Sequence, residues 1–115
     1  MSIETIQEIE RNIKASKEAI EFGNSVTRLQ NNKDFKAVIL KGYFEEEAVR
    51  LVHLKADQNM QSADMQRSII AQMDAIGTVK QYLSMAMHKA SLAGKSLVYD
   101  EEILEEIAAE EVSNG

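Results

Sequence analysis

The sequence predicts an all-α protein, an elongated helical hairpin or bundle of three main helices at about residues 2–31, 33–56 and 63–95, followed by a short acidic C-terminal helix at about 101–111. Three observations predict it. Of 115 residues, 44% are hydrophobic and 28% charged, but only 5% are aromatic and Trp, Cys and Pro are absent. That mixture suits helices built from Ile, Leu, Ala and Met rather than a β-sandwich or a disordered chain. Apolar residues recur at steps of three and four along most of the chain, the period of one helix face. The longest such line, Ile69, Gln72, Ile76, Val79, Leu83, Ala86, Ala90, Ala93 and Leu97, keeps that alternation over four heptads, as the seam of a coiled coil or bundle does.

The first helix carries Ile6, Ile9 and Ile13, then a displaced line through Ala15, Ala19, Phe22, Val26 and Leu29. The sideways shift predicts that this helix wraps around a partner or changes neighbours partway. Gly23 weakens its middle by under about 1 kcal/mol relative to Ala. The stretch "QNNKD" punctuates the chain at 30–34, with Asn31 or Asn32 placed to accept hydrogen bonds from the free amides of the next helix.

The second helix has a face through Leu40, Phe44, Ala48 and Leu51, with Phe35, Val38, Ile39 and Val52 beside it. Gly42 lies inside it. It is either a small residue at a close contact or a left-handed cap ending a short helix. No capping residue follows it, which favours one helix, kinked at most. The polar loop "ADQNMQSAD" at 56–64 offers Ser62 as the cap of the third helix. From Ala63 to about Ala93 that helix would extend ~45 Å, which predicts the elongated form. Ala86, Ala90, Ala93 and Gly94 leave room there for a neighbouring helix. Met60, Met65, Met73, Met85 and Met87 cluster around the same helix and read as core filler rather than an adaptable binding surface. Asp100 is placed to cap the last helix, whose Ile103, Leu104 and Ile107 form an apolar stripe. So short a helix is marginal alone and must dock.

Charge divides the chain. Asp100, Glu101, Glu102, Glu105, Glu106, Glu110 and Glu111 are acidic and no base follows residue 99, so the overall −6 leaves residues 1–99 nearly neutral. The expected organisation is a helical domain, 1–99, and an acidic C-terminal segment, 100–115. A basic nucleic-acid footprint is missing from both. An acidic tail more often solvates a chain or docks on a basic partner than performs chemistry. No apolar run reaches the ~20 residues that span a bilayer, and the start, "MSIETIQEIERNIK", is charged from its fourth residue. Neither a signal peptide nor a membrane contact is expected.

Only one stretch resembles a chemical site. In "KGYFEEEAVRLVHLKAD" (41–57), Glu46, Arg50, His53 and Asp57 fall at steps of four, three and four, one polar line on a helix. A di-iron bundle needs Glu three residues before a ligand His. Arg50 holds that position before His53 and Met85 holds it before His88. A cation there opposes metal binding, and two histidines without cysteine give too few ligands for zinc. No HExxH, phosphate loop or nucleophile elbow is present. The expectation is therefore a solvated polar face, with no catalytic, metal or cofactor-binding residues.

The stretches "LQNNKDFKAVILKGYFEEEAVRLVHLKAD" and "MQSADMQRSIIAQMDAIGTVKQYLSMAMHKASLA", with the acidic ending, resemble a group of small, mostly uncharacterised helical proteins of tailed bacteriophages. The resemblance covers about residues 29–93. It implies phage origin and a place among virion or assembly proteins, and supplies no active residues. The expected function is a non-enzymatic structural or assembly protein of the virion, packing helices with itself as a homo-oligomer or with other virion proteins, located in the virion or in the host cytoplasm during assembly. Ile76, Val79, Leu83, Ala86 and Ala90, with Ile103 and Ile107 of the tail, are the expected protein contacts. The alternative is a small phage-encoded regulator that binds a host machine such as RNA polymerase through the acidic tail.

Overall fold

The computed structural model describes residues 2–114 as three helical runs: α1, Ile3–Gln30; α2, residues 33–56; and α3, Ala63–Asn114. A 3-10 turn, Gln58–Met60, joins α2 to α3. The protein is all-α, with no strand among the described residues. It divides into two compact units, one of Met1–Ser25 with Ala86–Gly115, the other of Val26–Met85.

The second unit is a helical hairpin whose ends are fixed by side chains. Asn32 makes the first cap: its Oδ1 accepts from the amides of Asp34 and Phe35, each at 3.0 Å. Asn31 instead donates its side-chain amide to the Thr27 carbonyl, at 2.9 Å. Ser62 caps α3, its Oγ accepting from the Met65 amide at 3.2 Å. Between α2 and α3, Gln61 and Gln66 donate to the Lys55 carbonyl at 2.9 and 3.0 Å, and Gln66 also reaches the Met60 carbonyl at 2.8 Å. These amides satisfy backbone acceptors that the end of α2 would leave open. So short a connection turns the chain back on itself.

Packing follows from the turn. Leu51, Ile69 and Ile76 form the buried centre, with Tyr43, Phe44, Ala48, Leu54, Met60 and Met73 against it. Leu51 is fully enclosed. The inward face expected of α2, Phe44, Ala48 and Leu51, thus meets the first part of the α3 seam.

Inside α2 the winding changes. Lys33–Phe35 and Ala48–Ala56 are α-helical, whereas Lys36–Glu47 between them is a π-helix, with no buried residue of its own. Phe35, Ile39, Leu40, Tyr43, Phe44, Glu47 and Ala48 are half-buried, so the inward positions repeat every four or five residues. An α-helix of 3.6 residues per turn would rotate such a set away from the partner; i→i+5 winding holds it on one side. The run passes through Gly42 unbroken, for no described glycine has a positive φ. A Cβ at Gly42 would stand 3.1 Å from the Ala37 carbonyl oxygen, so the residue fits the widened turn rather than ending it.

The first unit pairs the earlier part of α1 with the later part of α3. Gly23, at the end of the α1 portion, lies against Ala90 and the Ala86 carbonyl, at the start of the α3 portion. The remainder of each portion can reach the other only by running antiparallel. Ile9, Ser16 and Ala93 are buried, and so is Asp100, 8% exposed.

Two expectations are corrected here. No separate C-terminal helix spans 101–111: α3 is unbroken from Ala63 to Asn114. Asp100 is not a cap but a buried mid-helix residue, because the three-and-four seam continues past Leu97 through Asp100, Leu104 and Ile107. Burial along a seam outweighs the local preference of Asp for a helix start. Nor does the inward face of α1 shift at Ala15. It runs on through Ser16, Ile20 and Gly23; of the displaced line, Val26 is buried and Ala19 half-buried, while Phe22 and Leu29 stand 49% and 42% exposed.

Candidate functional site

The polar line of α2 holds its place on the surface: Glu46, Arg50, His53 and Asp57 are all exposed. Its internal pairing differs from the spacing of four. Arg50 forks onto Glu47, with Nε 3.2 Å from Oε1 and 3.0 Å from Oε2, and Nη2 also on Oε1. Both three- and four-residue separations make neighbours on a helix, and the closer carboxylate takes the guanidinium. The hydrogen bonds from Arg50 hold the Glu47 carboxyl below its usual range, and Glu47 in turn raises Arg50. A carboxylate so engaged is a poor proton acceptor and a poor ligand.

Asp57 is also engaged, its Oδ1 accepting from the Asn59 amide at 2.8 Å to shape the turn. Met85 and Arg50, the residues three before His88 and His53, supply no ligand oxygen. Among the described residues no three His, Asp or Glu side chains are grouped to hold a metal ion. Beside the hairpin core a shallow groove is lined by Tyr43, Glu47, Leu51, Gln72, Ala75 and Ile76. Its only charged group is the one paired with Arg50.

The residues expected to contact another protein divide between inside and outside. Ile76 belongs to the hairpin core and Leu83 is buried. Ala90, with the backbone of Ala86, faces Gly23 of the same chain. Ile103 and Ile107 are half-buried, and Val79 stands 41% exposed. The α3 seam is thus largely filled by the chain's own helices at these positions.

Other apolar side chains remain outside. Met85, Leu92 and Tyr99 are 66%, 51% and 65% exposed at intervals of seven along α3. The signal for them was present as a second heptad line two residues behind the seam, overshadowed by the stronger one. No helix among the described residues is long and apolar enough to cross a membrane. No protein-family model, curated protein or solved structure matches the chain.

Proposed function

We propose that this is a non-enzymatic structural or assembly protein of a tailed-phage virion, acting through helix packing with itself or with another virion protein. One observation carries the reading. Among the described residues, exposed large apolar side chains outnumber buried ones, and they stand on helices, where a further helix can cover them. The polar line of α2 is exposed, and Arg50 is paired with Glu47, which supports a binding rather than a catalytic role. Phage origin rests on the sequence resemblance, and with it the location in the particle or in the host cytoplasm during assembly. Mass spectrometry of purified particles tests the proposal: the protein should be present in stoichiometric amount, or in assembly intermediates. Its absence from both would overturn the reading.

The exposed acids of the α3 end favour a second reading. Glu101, Glu102, Glu105, Glu106, Glu110 and Glu111 are all exposed on a stretch without a base, a surface suited to the basic channel of a host machine such as RNA polymerase. A pull-down from host lysate would then retain that machine, and neutralising these glutamates would release it.

A further inference from the structure

Within α2 the run Lys36–Glu47 winds as a π-helix of 12 residues between α-helical ends. Such winding is rare and mostly confined to a single turn inside an α-helix, so a run this long has to be held by its packing. Here the hold is slight: no residue of the run is buried, and Ile39, Leu40, Tyr43 and Phe44 are half-buried. The sequence also suits a second winding. Counted back from the enclosed Leu51 at 3.6 residues per turn, an α-helix turns Ala48, Phe44, Leu40 and Ala37 toward α3. The π form keeps Ala48, Phe44 and Leu40 half-buried and adds Phe35, Ile39 and Tyr43, while Ala37 is exposed. Leu40, Phe44 and Ala48 thus belong to both faces, and the main exchange is of Ala37 for Phe35 and Ile39. In the α form Ile39 would lie about a third of a turn, and Phe35 nearly half a turn, from the α3 side.

We propose that the first half of α2 exchanges between this π form and an α form, a two-state element that carries Phe35 and Ile39 from the α3 side to solvent. The start of the helix can turn with the run. Asn32 caps the amides of Asp34 and Phe35, within the moving segment itself, and Asn31, Asn32, Lys33 and Asp34 are exposed, so no burial anchors them. In the α form the two released side chains become available to a partner, which draws the chain into that form to the extent that it binds it better. The inference goes beyond the functional reading and does not depend on it.

Nuclear magnetic resonance of the full chain reads both states. Couplings through the hydrogen bond identify the carbonyl partner of each amide, five residues back in the π form and four in the α form. In the wild type the major form should show the i→i+5 partners, and relaxation dispersion should report a minor state of about 0.1–10%, confined to residues 33–47. Ala37→Leu adds an apolar side chain that only the α form turns to α3, and should raise the ratio of α to π at least tenfold. Ile39→Ala removes one that only the π form holds, and should shift the ratio the same way by at least threefold. Val38→Leu is the control: residue 38 is 64% exposed in the π form and would face away from α3 in the α form, so the ratio should change less than twofold. Flat dispersion across residues 33–47 in the wild type overturns the exchange. A minor state that neither Ala37→Leu nor Ile39→Ala enriches overturns its assignment as the α form, and i→i+4 partners throughout the wild-type run overturn the π form as the major state.

Discussion

The two units bury different things. In the hairpin of Val26–Met85 the centre is Leu51, Ile69 and Ile76, ringed by aromatic and Met side chains. In the pair of Met1–Ser25 with Ala86–Gly115 the inward residues include Ser16, Gly23, Ala93 and Asp100, while Phe22, Leu92 and Tyr99 face outward. Small residues let two backbones approach closely, but they withdraw little apolar area from water, and area is what scales with hydrophobic stabilisation. The hairpin therefore has a core of its own. In the other unit the buried apolar residues are Ile9 and Ala93, with Ile13, Ile20, Leu97 and Leu104 half-buried beside them.

Truncating the hairpin centre should give the largest effect. Leu51→Ala leaves a cavity where nothing can relax from solvent, and should cost about 3–4 kcal/mol in urea unfolding. A loss below about 1 kcal/mol would mean that the hairpin core is not where its stability lies. A smaller effect, with a reversal of sign, should distinguish the glycines. Gly77 has no atom within 4 Å of an added Cβ, so Gly77→Ala should stabilise α3 by roughly 0.5–1 kcal/mol through helix propensity. Gly23 is pressed against Ala90, where an added Cβ cannot fit without moving one backbone from the other. Gly23→Ala should therefore destabilise by about 1–3 kcal/mol, as overpacking does. Equal, stabilising effects at both positions would show that the helices of the first unit are not in close contact.

The same contrast explains what could be read in advance. Leu51, Ile69 and Ile76 are apolar at helical spacing, and Asn32 and Ser62 are placed as caps, so the hairpin was legible. Ser16, Gly23 and Asp100 have no apolar signature: backbone proximity and continuity of the seam bury them, and periodicity of hydrophobic residues does not register either. Asp100 before two glutamates imitates a helix start, and only its neighbours across the seam show that it is interior. The π-winding of Lys36–Glu47 was hidden because apolar pairs at 39–40 and 43–44 satisfy an α-helix locally, and the mismatch accumulates only over several turns. Within the polar line, exposure followed from the wheel, but the choice of Glu47 over Glu46 by Arg50 depends on rotamers that spacing does not specify.

That ion pair provides the smallest expected effect and a check on the comparison. If the hairpin is held by apolar burial, its surface charge should contribute little, in a defined pH window. The hydrogen bonds from Arg50 depress the Glu47 carboxyl below its ordinary value of 4.5. Its contribution to stability is thus present above the unfolded value, and is lost as the pH falls through the lower folded one. Glu47→Gln should lower stability slightly at neutral pH, and the difference from wild type should vanish in acid, once the pH has fallen below the depressed folded value. Added salt should shrink it as well, because the pair is open to solvent. A deficit at neutral pH as large as that of Leu51→Ala would contradict this picture, since the hairpin would then be held by its charged surface rather than by the residues that α2 and α3 enclose.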